Sequence, residues 1–254
     1  MSVRTALIAA GVPVAIAARE APLAERAMIE ADITTKDRSR FFLAQVLHES
    51  GGLRWFEELA DGRAYEGRRD LGNTRPGDGP RFKGRGPIQL TGRNNYRRAG
   101  RDLGLPLESR PHLASRHDIG WRIAAWYWTK GSSRGNLNVL ADRGDFIGTT
   151  RAINGGTNGH GPAFVSGKRL WYLRKLRGTD CRPDPLSHLT AVERRRCREL
   201  DRLRRENRDL PRRRELVAAL TEQRKRIWRS AQSPGGWDRA HRRERYRSLH
   251  ARTT

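Results

Sequence analysis

The sequence predicts a mainly α-helical protein in two parts, a helical domain over residues 1–178 and a basic helical tail over residues 179–254. Three observations lead there. Apolar residues recur at helical spacing in one segment after another, strand-like runs are short and few, and glycine, frequent up to Gly178, almost vanishes beyond it. The apolar set is 36% of the chain and 26 glycines add to it, enough to build a core.

Met1 to Ala18 carries an apolar run that loosely imitates a signal peptide. Gly11-Val12-Pro13 interrupts it, so two short amphipathic helices joined by a turn are expected. From Arg38 to Ser50, Phe41, Phe42, Leu43, Val46 and Leu47 recur at helical spacing, and Gly51-Gly52 supplies the stop. Arg54 to Lys83 is rich in Gly, Asp, Arg and Asn and reads as a long irregular segment, a type of loop that usually serves function. Pro87 to Leu90 is the best strand candidate. Helical patterns resume at Tyr96–Leu103 and Asp118–Lys130, where Trp121, Ala124, Ala125 and Trp128 make one stripe, and again at Asp145–Ile153 and Pro162–Leu176. Trp121, Trp126 and Trp128, spaced by small residues, are expected in the core.

In the tail, Leu189, Leu203, Leu210 and Val217 fall on a seven-residue grid, with Leu200 as a second seam position. Pro211 suits the first turn of a new helix capped by Asp209, so two helices, about 188 to 208 and 210 to 230, are expected as a hairpin or short coiled coil.

Charge narrows the partners. The chain has 52 Lys+Arg against 28 Asp+Glu, a net charge of +24, and residues 179–254 hold 22 of the former against 11 of the latter. Such an excess calls for a polyanionic neighbour: nucleic acid, an anionic membrane face or an anionic cell wall. No apolar run reaches the ~18 residues of a membrane span. Cys181 and Cys197 are too few for a disulfide scaffold and lie in no Cys/His cluster, so neither a metal nor a cofactor is expected.

His48-Glu49-Ser50-Gly51-Gly52 ends the apolar helix. Glu49 lies seven residues after Phe42 and three after Val46, which puts its carboxylate on the apolar side. Burial there raises a carboxyl pKa, as a general acid requires. Glycoside hydrolysis needs a second carboxylate, and Glu57, Glu58, Asp61 and Glu66 are the candidates. An unbroken helix would set Glu58 on the face opposite Glu49; the Gly51-Gly52 break removes that restriction. Next comes Gly84-Arg85-Gly86-Pro87-Ile88-Gln89-Leu90-Thr91, followed by Asn94-Asn95-Tyr96. Gln89, Thr91 and Asn95 alternate as polar residues on a segment expected to be extended, and such neutral groups suit sugar hydroxyls, N-acetyl groups and an attacking water.

These motifs, together with Ile153-Asn154-Gly155-Gly156, make the chain from about Thr5 to Arg177 resemble glycoside hydrolase family 19, especially its phage endolysin branch. The resemblance implies a lysozyme-like two-lobed helical domain with a cleft, and inverting hydrolysis of β-1,4 bonds in an N-acetylhexosamine polymer. It implies that Glu49 is the general acid, that Glu58 is the general base with Glu66 as its rival, and that Thr91 helps hold the water, a place taken by serine in many plant chitinases. Gln89, Asn95 and Asn154 would be substrate-binding or cleft-organising amides, joined by Tyr96 and by His48, which beside the acid reads as an orienting hydrogen-bond partner, while His160 lies on a loop that could line the cleft. The function expected is that of a monomeric peptidoglycan-degrading endolysin, made in the host cytoplasm and acting at the cell wall, with its tail on the anionic wall or membrane. The alternatives are a chitinase acting on chitin and a basic nucleic-acid- or wall-binding protein without catalysis; no nucleic-acid motif supports the nucleic-acid reading.

Overall fold

The computed structural model describes residues 2–154 and 162–184, with side chains from residue 167 onward in the last helix. Among them the architecture is mainly α: α1 Val3–Ala9, α2 Val14–Glu30, α3 Lys36–Glu49, α4 Asp78–Arg81, α5 Arg93–Leu103, α6 His117–Trp126, α7 Asn138–Asp142, α8 Phe146–Ile153 and α9 Pro162–Arg177. The expected tail helices, Cys197, Gly155, Gly156 and His160 lie outside the described residues. No described helix is long and apolar enough to cross a membrane, and no described group of His, Cys, Asp and Glu could hold a metal.

Helix α3 organises the domain. Thr35 caps it, its Oγ1 accepting from the Arg38 N–H at 3.3 Å, and Asp37 adds a negative charge to the first turn. Its predicted apolar residues are all buried. Phe42 meets the rings of Trp121 at 6.2 Å and Trp128 at 5.6 Å, and Phe41 meets Phe146 at 5.0 Å. Helices α7, α8 and α9 pack on α3, and α6 packs on α2. Gln45, buried in α3, donates through Nε2 to Thr150 Oγ1 at 2.8 Å, which ties it to α8.

The expected stripe of α6 is buried, and each of its large rings finds a hydrogen bond as an interior indole must. The Nε1 groups of Trp121, Trp126 and Trp128 donate to Glu20, Asp102 and Asn138 at 2.8, 2.9 and 2.8 Å. After Trp126 the helix widens into a π turn over Tyr127–Gly131.

Residues 54–83 are irregular apart from two 3-10 turns, Arg63–Tyr65 and Arg69–Leu71, and the single turn of α4. Polar side chains hold this segment. Asp78, 1% exposed, pairs with Arg93 at the start of α5 and also accepts from the Thr74 and Arg75 N–H groups at 3.1 and 3.0 Å. Arg93 continues to Glu108 at 3.0 Å and lies over the Phe82 ring at 4.6 Å. Buried Asn73 receives the Arg93 N–H at 2.9 Å and donates to the Tyr65 carbonyl at 2.8 Å.

The structure corrects the expected strand at Pro87–Leu90. Arg85 and Leu90 exchange backbone hydrogen bonds of 3.1 and 2.8 Å around a tight turn, and Gln89 sits at φ 55°. The cause is close packing on α6: a Cβ at Gly86, itself at φ +74°, would lie 3.1 Å from the Ala114 carbonyl oxygen and 3.3 Å from the Gly120 Cα. Among the described residues, β pairing is limited to the isolated bridges of Arg85 with Leu90 and with Glu57.

Candidate active site

The bridge between Glu57 and Arg85 carries Glu58 to the Gly84–Thr91 turn. The Glu58 N–H donates to the Gly84 carbonyl at 2.9 Å, and the Gly84 N–H returns a bond to Glu58 Oε2 at 3.0 Å. Glu58 Oε1 accepts from the Tyr65 hydroxyl at 2.9 Å. Burial, assisted by the Glu58 carboxylate, pushes the Tyr65 phenol up, so it stays a donor.

Three polar side chains converge where Gly84 has no side chain. A Cβ built on Gly84 would lie 2.6 Å from Gln89 Oε1, 3.1 Å from Glu58 Oε2 and 3.4 Å from Thr91 Oγ1. The Thr91 hydroxyl donates to the Gln89 carbonyl at 2.9 Å, and Gln89 Nε2 donates to the Gly86 carbonyl at 3.0 Å. The atoms left facing this space are therefore acceptors. Asn95 supports them from below, its Nδ2 donating to the Thr91 carbonyl at 2.8 Å.

Glu49 occupies the last turn of α3, with its side chain 22% exposed and paired to Arg169 of α9, whose side chain is 4% exposed. Burial pushes the Glu49 carboxyl up, against the pull of the Arg169 guanidinium. His48 is pushed down to about 4 by burial, and by the charges of Arg169 and Lys168, so its ring is neutral at pH 7. Its buried Nδ1 has no hydrogen-bond partner among the described residues, in place of the orienting contact expected of it.

The other acidic candidates are committed elsewhere. Glu66 accepts from the Gly77 and Gly79 N–H groups, both at 2.7 Å, and so straps the irregular segment. Glu57 pairs with Lys83 at 3.2 Å and Arg85 at 3.3 Å, and accepts from the Ser115 hydroxyl at 3.1 Å. Burial raises its carboxyl, and these partners outweigh that and hold it below the usual range. Asp61 pairs with Arg63 at 3.2 Å. Tyr96 requires a correction: it is 0% exposed, its hydroxyl donating to the Lys83 carbonyl at 2.7 Å and accepting from Arg85 at 3.1 Å. It anchors the turn from the core and offers no surface to a ligand. Asn154 caps the end of α8.

Sequence reasoning missed Arg169, Tyr65 as a donor to Glu58, and the role of Gly84. A signal for Arg169 existed: it shares the helical stripe of Tyr172, Leu173 and Leu176, all buried, where an arginine is out of place without a partner.

Residues 28–139 match the protein family described as chitinase class I. An endochitinase of Arabidopsis thaliana is 40% identical over 139 residues, which cover 53% of this chain and 45% of that protein. A glycosyl hydrolase family 19 domain-containing protein of Haemophilus influenzae is 32% identical over 161 residues, which cover 51% of this chain and 76% of that protein. Chitinase C from Streptomyces griseus, in its crystal structure, is 30% identical, with a TM-score of 0.48, 59% of this chain and 62% of that chain being covered. The chain thus spans about half the length of the Arabidopsis endochitinases it matches.

Proposed function

This chain belongs to glycoside hydrolase family 19, and from that premise we propose that it hydrolyses β-1,4 bonds of the peptidoglycan glycan strand by an inverting acid/base mechanism, as an endolysin does in host lysis. Glu49 protonates the leaving oxygen. Glu58 takes a proton from a water that Thr91 helps to orient, a route that requires the two carboxyls to stand about 6.5–9.5 Å apart across the bond.

The observation that carries this reading is the ring of acceptors beside Gly84. Water has two O–H groups, and a water donating one to Glu58 Oε2 and one to Thr91 Oγ1 is left with a lone pair to aim at an anomeric carbon. The Thr91 hydroxyl hydrogen is already given to the Gln89 carbonyl, so its oxygen serves as an acceptor. Glu58 is supported over Glu66 because Glu58 Oε2 shares the space beside Gly84 with Gln89 Oε1 and Thr91 Oγ1, while the oxygens of Glu66 strap the Gly77 and Gly79 N–H groups. The raised Glu49 carboxyl suits the acid.

Charge supports peptidoglycan over chitin. A net charge of +24 has no counterpart on a neutral polymer and an abundant one on an anionic wall. The names of the relatives, plant and bacterial chitinases, favour chitin as the second reading. The basic segment 179–254 acts in this scheme as an electrostatic tether to wall or membrane surface.

Mass spectrometry of products from purified peptidoglycan tests the reading. Muramic acid or glucosamine reducing ends support it, and cleavage of purified chitin alone overturns it. Proton NMR of fresh product should show the α anomer first; a β anomer at the earliest time refutes direct attack by water.

A further inference from the structure

A groove of about 320 Å³ lies between the turn after α1, the Gly51-Gly52 break and α9. It adjoins the candidate acid in sequence on two sides. Gly51 follows Glu49 by two residues, and Lys168 precedes Arg169, the partner of Glu49. None of the residues assigned to catalysis lines it.

Its lining combines a flat aromatic surface with unneutralised charge. Trp171 is 45% exposed, an unusual position for the largest apolar side chain, and its ring is held in place. It stands at 76° to the Tyr172 ring with centroids 5.0 Å apart, and the Lys175 ammonium lies 5.4 Å from its centroid. Tyr172 is buried beside it, with its hydroxyl 3.4 Å from the place a Cβ on Gly52 would take and within the influence of Arg54. Arg54 and Lys168 are exposed and, among the described residues, take part in no ion pair.

We infer that this groove is a binding site for an N-acetylhexosamine that carries a carboxylate on its O3 substituent. The apolar face of the sugar ring stacks on Trp171, and the carboxylate is received between Arg54 and Lys168. The inference rests on the glycan reading given above and adds the selection between its two substrates, because chitin has no such carboxylate. The anion can come from the lactyl group itself or from a peptide attached to it, and both present the same chemistry to the two cations.

The test is calorimetric titration of the full chain, in a Glu58→Gln background that prevents turnover. The probes are chitotetraose, a peptide-free tetrasaccharide alternating N-acetylglucosamine and N-acetylmuramic acid, and the same tetrasaccharide with its peptides. The chain should bind at least one muramic acid oligomer more tightly than chitotetraose. Replacing both Arg54→Gln and Lys168→Gln should weaken that oligomer by about tenfold, from two partly solvated charge contacts, and leave chitotetraose unchanged. Which oligomer responds identifies the source of the carboxylate. Trp171→Ala should weaken charged and neutral oligosaccharides alike. Equal affinity for all three probes, an unchanged preference in the double variant, or no effect of Trp171→Ala overturns the inference. Absence of cleavage by the wild-type chain, with the binding preference intact, refutes the hydrolase reading alone.

Discussion

Gly84→Ala is the most direct probe of the candidate site because it adds one methyl group where three functional atoms meet. The new Cβ would lie 2.6 Å from Gln89 Oε1 and 3.1 Å from Glu58 Oε2, against an ordinary contact of 3.4 Å or more. The amide of Gln89 must retreat by about 0.8 Å and the carboxylate of Glu58 by about 0.3 Å, since overpacked atoms move to restore normal contact. The fold should absorb this readily. Gly84 has no positive φ to forbid alanine, and Gln89 Oε1 is the far end of a flexible side chain, so a cost of about 1 kcal/mol is expected. Catalysis should not absorb it, because the methyl group, 3.1 Å from Glu58 Oε2 and 3.4 Å from Thr91 Oγ1, intrudes on the space given to the water, and misplacing a reacting group by about 1 Å costs on the order of 10²-fold. Turnover should therefore fall by roughly 10- to 100-fold while the melting temperature moves only a few degrees. Hydrolysis of dye-labelled peptidoglycan and a thermal melt measure the two effects. Gly167→Ala is the control, since a Cβ there meets nothing within 4 Å. A folded Gly84→Ala protein with turnover within twofold of wild type would refute the placement of the water site.

The remaining expectations concern the carboxylates and the scaffold. Glu49→Gln and Glu58→Gln should each lower activity by about 10²–10⁴-fold. Glu66→Gln should mainly lower the melting temperature through its lost bonds to Gly77 and Gly79; a dead, well-folded Glu66→Gln protein beside an active Glu58→Gln one would move the base to Glu66. Asp78→Asn breaks a buried ion pair, expected to cost about 3–5 kcal/mol and roughly 10 °C in Tm, and an unchanged melt would show that Arg93 does not depend on it. His48 titrates at its ordinary 6.5 when unfolded but at about 4 when folded. Its contribution to stability is complete above pH 6.5 and is lost as the pH falls toward 4, because only the unfolded chain takes up the proton. The melting temperature of His48→Asn should therefore fall less over that window than that of wild type, and parallel curves would refute the assignment.

Helix α3 and the α6 stripe were legible because helical periodicity is local: Phe41, Phe42, Val46 and Leu47 announce a buried face within one short window. The motif residues Glu49, Gln89, Thr91 and Asn95 were legible as residue types suited to sugar chemistry, and the irregularity of residues 54–83 followed from composition. What each carboxylate does was not legible, since Glu57, Glu58, Asp61 and Glu66 share one chemistry and differ only in partners. Their partners lie far along the chain: Glu58 meets Gly84, 26 residues away, and Glu49 meets Arg169, 120 residues away. Tyr96 and the turn at Pro87–Leu90 went the same way. Their pattern suited a ligand contact and a strand, but packing of Gly86 against Gly120 and the pairing of the Tyr96 hydroxyl with Lys83 and Arg85 put them to other uses. Periodicity reports what a segment buries, while only the fold decides which distant donor a given oxygen meets, because that choice is made by contacts no local window contains.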